Sequence, residues 1–162
     1  MTHNWVLGSA LALLLGCNPG AHELSDAHAA AMRDSVQATL AALRQYSAAG
    51  QWDSLVRLYA DDPRFRFVEN GAVRYRSAGQ IRQALESVPQ GTRIETTHEG
   101  TEITPVAPGV ASVATLFHTR FIDSTGAMAF SFEGAATLTL VHRPDGWRIL
   151  NGHSSSPSPR RP

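Results

Sequence analysis

The sequence predicts a single α+β domain, in which three helices in the N-terminal half lie against an antiparallel sheet of about six strands. Two patterns predict this fold class. Apolar residues recur at helical spacing in the first half, and apolar and polar residues alternate over long stretches in the second half. The length of 162 residues suits one domain with short appendages and is too short for a second domain.

The charges of the chain balance, and every basic residue is an arginine. There are 14 Arg against 14 Asp and Glu, and Lys is absent. A neutral chain has no net field that attracts nucleic acid, so we expect no nucleic-acid partner. The absence of Lys also excludes Schiff-base catalysis and a phosphate-binding loop that depends on Lys.

The N-terminus has the features of an export signal. Residues 5–16 form an apolar run, shorter than the ~20 residues of a membrane-spanning helix but suited to a secretory signal. The run ends in Leu-Leu-Gly before Cys17, the single Cys of the chain. This ending resembles the lipobox of bacterial lipoproteins, in which the Cys receives a lipid and becomes the new N-terminus.

These features predict how the chain is divided. We expect a lipoprotein signal peptide at residues 1–16, a tether at 17–24, the folded domain at 25–155 and a disordered tail at 156–162. The protein would be exported and anchored to a bacterial membrane in the cell envelope by lipid on Cys17. An ordinary secretory signal is the alternative, because residues 1–4 contain no Arg or Lys.

Three helices are expected before residue 90. The first covers residues 25–49, the second is short and stops before Pro63, and the third stops before Pro89. The N-caps that we expect are Ser25 or Asp26, Asp53, and Ser77. One face of the first helix is apolar, so this helix is predicted to lie on the sheet.

The strands follow from turn signals and alternation. Asn70 and Gly71 predict a tight hairpin between two short strands. The expected strands cover residues 65–69, 72–76, 92–104, 110–123, 127–142 and 146–155. Asp61 and Asp62 are adjacent in an extended segment, so their side chains point apart and are not expected to form a catalytic pair. One of them is expected to be a cap or to brace a loop.

Loop length predicts which residues of the long hairpin face inward. A two-residue loop at Ser124 and Thr125 would place Phe117 opposite Phe132. Large apolar side chains then share the inner face, and Glu133 falls on the outer face. Burial of this apolar area, at ~25 cal/mol per Å², favours the arrangement.

The last hairpin predicts a cavity. A four-residue loop after the long strand would pair Leu140 with Ile149 and Ala136 with His153. Small residues at Ala136 and Gly134 would then leave space in front of the His153 imidazole. The side chains of Trp147 and Asn151 would share the inner face with His153.

Two segments of the sequence resemble a known superfamily. They are GQWDSLVRLYADDP at residues 50–63 and GWRILNGHSS at 146–155. Together with the order of elements, they are similar to the nuclear transport factor 2-like superfamily and its SnoaL-like branch, over residues 25–155. The resemblance implies a curved, cone-shaped sheet with a ligand cavity at its open end, and frequent dimerisation through the outer sheet face.

The candidate site residues follow from the inner-face pattern and from this resemblance. The expected ligand-binding residues are Phe67, His98, Phe117, Phe132, Trp147, Asn151 and His153. His153 is also the candidate general base, with Tyr59 or Tyr75 as a hydrogen-bond donor. The histidines come from different strands and do not converge at ligand spacing, so neither a metal site nor a cofactor is expected.

Three functions are consistent with these residues. The leading hypothesis is a lipid-anchored domain that binds a small, largely apolar molecule, or acts as an accessory module, without catalysis. The alternative is a proton-transfer enzyme of the isomerase or cyclase type. A third hypothesis is an interaction module, with a homodimer or another partner on the outer sheet face.

Overall fold

The computed structural model describes residues 24–157, which form three helices and one six-stranded sheet. The helices are α1 (Asp26–Ala48), α2 (Trp52–Val56) and α3 (Ala78–Glu86). The strands are β1 (Arg66–Glu69), β2 (Ala72–Tyr75), β3 (Arg93–Ala107), β4 (Val110–Ile122), β5 (Met128–Arg143) and β6 (Gly146–Ser155). The predicted fold class and element order are therefore confirmed.

Some expectations fall on other parts of the chain. The predicted signal peptide and Cys17 lie outside the described residues, as do residues 158–162 of the predicted tail. Within residues 24–157, no helix is long and apolar enough to cross a membrane.

Two of the three predicted helix caps are confirmed. The hydroxyls of Ser25 and Ser77 each accept the backbone N–H three residues further on, at 3.3 Å. The third prediction, Asp53, is wrong. Gln51 occupies the N-cap position of α2 without a side-chain hydrogen bond, while Asp53 lies in the first turn and binds Arg82 on α3.

The sheet is mixed, whereas an antiparallel sheet was predicted. Its strand order is β2-β1-β6-β5-β4-β3, and β1 is parallel to β6. The long strands form consecutive antiparallel hairpins, and the β1–β2 hairpin closes the remaining edge of β6. The hairpin turn is confirmed: Asn70 and Gly71 have φ of 48° and 82°, as a type I′ turn requires.

Helix α1 lies across the concave, inner face of the sheet. Its residues Met32, Val36 and Leu40 are buried against the inner side chains of β4, β5 and β6. Those partners are Ala111, Val113, Leu138, Leu140, Trp147 and Ile149. This cluster fills one end of the space between helix and sheet. At the other end, Ser47 donates a hydrogen bond to the Ile94 carbonyl at 3.0 Å and ties α1 to β3.

The β4–β5 hairpin keeps the predicted inner face through a different loop. The backbone N–H of Asp123 donates to the Ala127 carbonyl, so three residues form the loop and not the predicted two. A three-residue loop alone would turn the phenylalanines outward. A bulge between Phe121 and Ile122 restores the parity, with Phe117 opposite Gly134 instead of Phe132.

The β5–β6 hairpin starts in the predicted register and then leaves it. Leu140 pairs with Ile149 as predicted, but a register shift follows between Thr139 and Leu140. Leu150 is the extra residue of the resulting bulge. Beyond it every side chain of β6 changes face. The prediction that His153 opposes Ala136 is therefore wrong, because Thr137 pairs with His153.

Candidate functional site

A cavity of about 280 Å³ lies between α1 and the inner face of the sheet. Its apolar wall consists of Leu40, Leu43, Leu55, Tyr59, Phe67, Leu85, Ile94, Phe117, Phe121, Phe132, Ala136, Leu138 and Ile149. Its polar wall consists of Arg44, Ser47, Glu69, Thr96, His98, Thr115, Thr119 and Ser154. A mainly apolar wall with a few polar groups is typical of small-molecule sites.

Aromatic rings line the cavity and continue to the surface. The ring centroids of Phe117 and Phe132 lie 5.8 Å apart, and those of Phe121 and Phe130 are stacked at 4.2 Å. Phe132 lines the cavity and is 41% exposed, while Phe130 is 52% exposed. The cavity therefore opens to solvent beside these rings, where a flat ligand could stack.

Tyr59 reaches the cavity because the segment after α2 pairs with β6. The N–H of Ile149 donates to the Leu58 carbonyl at 2.8 Å, and the N–H of Ala60 donates to the Ile149 carbonyl at 2.9 Å. Burial, together with Tyr75 and Glu69, raises the pKa of Tyr59 to about 12. Its hydroxyl therefore stays protonated at neutral pH and can donate a hydrogen bond.

Glu69 is a cavity carboxylate. It ends β1 beside Ser154 of β6, and it shares a face with Phe67. Burial raises the pKa of Glu69, and Arg74, whose Nε lies 3.8 Å away, acts in the opposite direction. A carboxyl group with a raised pKa at a cavity wall is suited to proton transfer.

Arg44 and His98 form a second polar group of the cavity, between α1 and β3. Nη1 of Arg44 lies 3.3 Å from Nδ1 of His98. A guanidinium has only N–H donors, so Nδ1 must accept and the proton of the neutral ring must be on Nε2. Burial and then Arg44 lower the pKa of His98, which keeps the ring neutral at pH 7.

Five predicted site residues lie on the cavity wall: Tyr59, Phe67, His98, Phe117 and Phe132. Their roles in binding stay predictions. Trp147 does not line the cavity, because it is buried in the core beneath α1. Its ring packs edge-on against His142, with the ring centroids 5.3 Å apart. Tyr75 does not line the cavity either, because it packs against the buried cluster of Val56, Phe65 and Ile81.

Asn151 and His153 are on the outer face of the sheet. Both line a shallow surface depression there with Arg66 and Thr139, and His153 is exposed. The bulge at Leu150 is the physical reason, because it gives Gly152 and Ser154 the inward positions. A base at His153 is therefore too far round the sheet to act in the cavity.

Arg44 and Glu69 were missed by the sequence analysis. Glu69 had a signal, because residues at i, i+2 and i+4 of a strand share a face and Phe65 and Phe67 are inward. Arg44 also had a signal, because it lies four residues after Leu40 and so continues the helical spacing of the buried residues Met32, Val36 and Leu40. In residues 24–157, no group of three or more His, Cys, Asp or Glu residues could hold a metal ion.

Comparison with known proteins agrees with this architecture. The family model described as SnoaL-like domain matches residues 36–159. No curated protein matches the chain. A nuclear transport factor 2-like superfamily protein from Salmonella enterica has a similar structure, with a TM-score of 0.66 at 15% identity over 82% of this chain and 95% of that one.

Two other solved structures have names that include an activity. A putative scytalone dehydratase from Novosphingobium aromaticivorans has a TM-score of 0.68 at 10% identity, over 80% of this chain and 86% of that one. A ketosteroid isomerase-like protein from Erwinia carotovora atroseptica has a TM-score of 0.59 at 17% identity, over 78% and 96%. At these identities the likeness establishes the fold alone.

Proposed function

We propose that this chain, which belongs to the SnoaL-like domain family, binds a small and largely apolar molecule in the cavity beneath α1. The observation that supports the proposal is the cavity wall, in which aromatic and aliphatic side chains surround two separate polar groups. Apolar side chains supply affinity through burial, and the few polar groups fix the orientation of the ligand.

The size of the cavity limits the ligand. Its volume is about 280 Å³. An apolar cavity of about 150 Å³ in another protein admits benzene, so the ligand body here would contain about two rings. The open side beside Phe132 would let a longer substituent reach solvent.

A substitution that fills the cavity with a larger side chain tests whether the ligand binds there. The two-ring, neutral fluorophore 2-naphthol is titrated into the protein, and into Ala136→Leu and Ala135→Leu. Ala136 lines the cavity, and the neighbouring Ala135 is exposed on the outer face. We expect saturable binding that Ala136→Leu weakens about tenfold and Ala135→Leu leaves within about twofold. Equal effects of the two substitutions would contradict binding in the cavity.

Proton transfer is the second candidate function, and a specific observation favours it. Glu69 and Tyr59 both line the cavity, and Glu69 is one of the groups that raise the pKa of Tyr59. Glu69 would remove a proton from carbon beside a carbonyl, and Tyr59 would donate a hydrogen bond to the developing oxyanion. The names of the dehydratase and isomerase-like structures are compatible with such chemistry.

Exchange of carbon-bound protons tests this candidate without knowledge of the substrate. The probe is 2-tetralone in deuterated buffer, and NMR follows the loss of its protons beside the carbonyl. We expect exchange faster than in buffer, strong loss in Glu69→Gln, partial loss in Tyr59→Phe and no change in Glu99→Gln, whose side chain is exposed. Exchange no faster than in buffer would count against catalysis and leave binding intact.

The lipid anchor is part of the same proposal. Its support is the apolar run at residues 5–16 that ends at Cys17. Intact-mass measurement of the protein extracted from its own membrane should show a lipid-sized increase on Cys17, and Cys17→Ser should release the protein from the membrane. The unmodified mass would contradict the anchor.

A homodimer through the outer sheet face is a separate prediction, which sedimentation of the folded domain tests.

A further inference from the structure

We propose that the ligand of the cavity is a small carboxylic acid, whose carboxylate is bound by the guanidinium of Arg44. The inference rests on the proposed binding function and adds the chemical class of the ligand. Arg44 is not assigned a role by the family match or by the similar structures.

Within the part of the chain that the structure describes, Arg44 has no carboxylate counter-ion. Its side chain is partly buried at the cavity wall. No carboxylate oxygen of residues 24–157 lies within 4.0 Å of its guanidinium. The hydrogen bond to His98 uses one of its five N–H groups. A partly buried guanidinium has lost part of its hydration, so the carboxylate of a ligand would provide the counter-ion that the cavity wall does not.

His98 accepts one N–H of Arg44 and has a separate donor on the side of its ring that points away from the guanidinium. Its Nδ1 faces Arg44, so Nε2 holds the proton. Nε2 has no hydrogen-bond partner in residues 24–157. Every fully buried side-chain nitrogen or oxygen in these residues has a partner, so Nε2 is not fully buried. Nε2 is therefore accessible to the open space of the cavity. Arg44 thus orients the imidazole so that its N–H is available to an acceptor.

The other polar groups near this pair are already occupied. Ser47 donates to the carbonyl of Ile94 at 3.0 Å, and the hydroxyls of Thr96 and Thr119 bond to each other at 3.0 Å. The charge offered to a ligand here is that of a single guanidinium. One positive charge suits a monocarboxylate better than a phosphate dianion.

Glu69 gives the cavity a polarity. It lies on β1, and β6, β5 and β4 separate that strand from β3, which contains His98. Glu69 has its own cation in Arg74, whose Nε lies 3.8 Å from the Glu69 carboxylate. An acid would therefore place its carboxylate at Arg44 and its apolar body against Phe117, away from the carboxyl group on the opposite wall.

Matched acids and amides test the ligand class by calorimetric titration. The probes are 2-naphthoic acid and 2-naphthamide, which have the same shape and differ in charge. The variants are Arg44→Gln, Arg44→Lys and, as the matched control, Arg33→Gln, an exposed residue of the same helix. Circular dichroism establishes that each variant is folded, and Arg44→Lys retains the charge if Arg44→Gln does not fold.

We expect wild type to bind the acid about tenfold more tightly than the amide, as for a hydrogen bond to a charged group. Arg44→Gln should remove this preference, Arg44→Lys should keep part of it, and Arg33→Gln should keep all of it. Equal binding of acid and amide to wild type would overturn the carboxylate class alone. Binding of neither probe would overturn the binding function as well.

Discussion

The ring of Phe67 on β1 covers the backbone of Gly152 on β6, in the position that a side chain at residue 152 would occupy. The two residues are register partners in the parallel pair of strands. An ideal Cβ at position 152 would overlap three atoms of the ring. Since Phe67 also lines the cavity, the absence of a side chain at Gly152 sets the position of that wall.

The first prediction concerns this contact. Gly152→Ala should lower the free energy of unfolding by about 1–3 kcal/mol, because the added methyl group must displace the ring of Phe67, which packs beside Tyr75. Chemical denaturation measures the change. The control is Gly79→Ala in α3, where a Cβ meets ordinary contact distances. That substitution should leave stability unchanged or raise it by up to about 1 kcal/mol. Equal effects would contradict the close contact.

The second prediction concerns pH and His98. Its pKa in the folded protein is below the ordinary value of 6.5 because of burial and Arg44. The unfolded chain therefore binds a proton first as the pH falls, so the stability that neutral His98 contributes is present above about 6.5 and is lost below it. Between about pH 7 and pH 5, the His98→Gln variant should lose less stability than the wild type. Thermal unfolding at each pH measures this loss.

The control for His98 is His118→Gln, which removes an exposed imidazole from the outer face of the sheet. We expect it to retain the pH dependence of the wild type. A slope for His98→Gln that equals the wild-type slope would show that the cavity does not shift the titration of His98.

The fold could be predicted because its elements depend on local signals. The structure confirms three features that the sequence predicted: the serine caps, the turn at Asn70 and Gly71, and the alternation along the long strands. The direction of β1 relative to its neighbour was not predicted. The β1–β2 hairpin pairs with the edge of β6 that β5 leaves free, and this makes β1 parallel to β6. No local residue pattern encodes that pairing.

The bulges explain both the success and the failure of the register prediction. A bulge near Phe121 compensates for an unexpected third loop residue, so the phenylalanines remain inward. A second bulge at Leu150 has no compensating change and turns His153 outward. One residue in either strand decides the face of every residue beyond it. The position of a bulge depends on how side chains pack across the sheet, and the sequence of one strand does not determine that packing.

The third prediction concerns Glu69. Burial raises its folded pKa above the ordinary 4.5, so the stability associated with the neutral acid is present below about that pH and is lost as the pH rises through the folded pKa. Glu69→Gln, which resembles the neutral acid, should therefore melt higher than wild type at about pH 7 and similarly at about pH 4. Differential scanning fluorimetry measures both values.

Glu99→Gln provides the comparison for Glu69, since it removes an exposed carboxylate from the outer face. We expect it not to reproduce the gain at neutral pH. A lower melting temperature for Glu69→Gln at neutral pH would mean that the ion pair with Arg74, at 3.8 Å, outweighs the desolvation of the carboxylate.

The last prediction compares two adjacent aspartates. The carboxylate of Asp62 accepts the backbone N–H and two guanidinium N–H groups of Arg64 at 2.8–2.9 Å, and Nη2 of Arg143 at 2.7 Å. It braces the loop after α2 against β5, as the sequence predicted for one of this pair. These bonds, those of Arg64 first, hold the pKa of Asp62 well below its ordinary 3.8.

Asp62→Asn should lower the midpoint of urea unfolding at neutral pH, whereas Asp61→Asn, at an exposed position, should have little effect. A lowered folded pKa contributes stability that is present above the ordinary pKa and is lost as the pH falls toward the folded pKa. The difference between wild type and Asp62→Asn should therefore narrow below about pH 4. A difference that is constant with pH would mean that the shape of the side chain stabilises the loop and its charge does not.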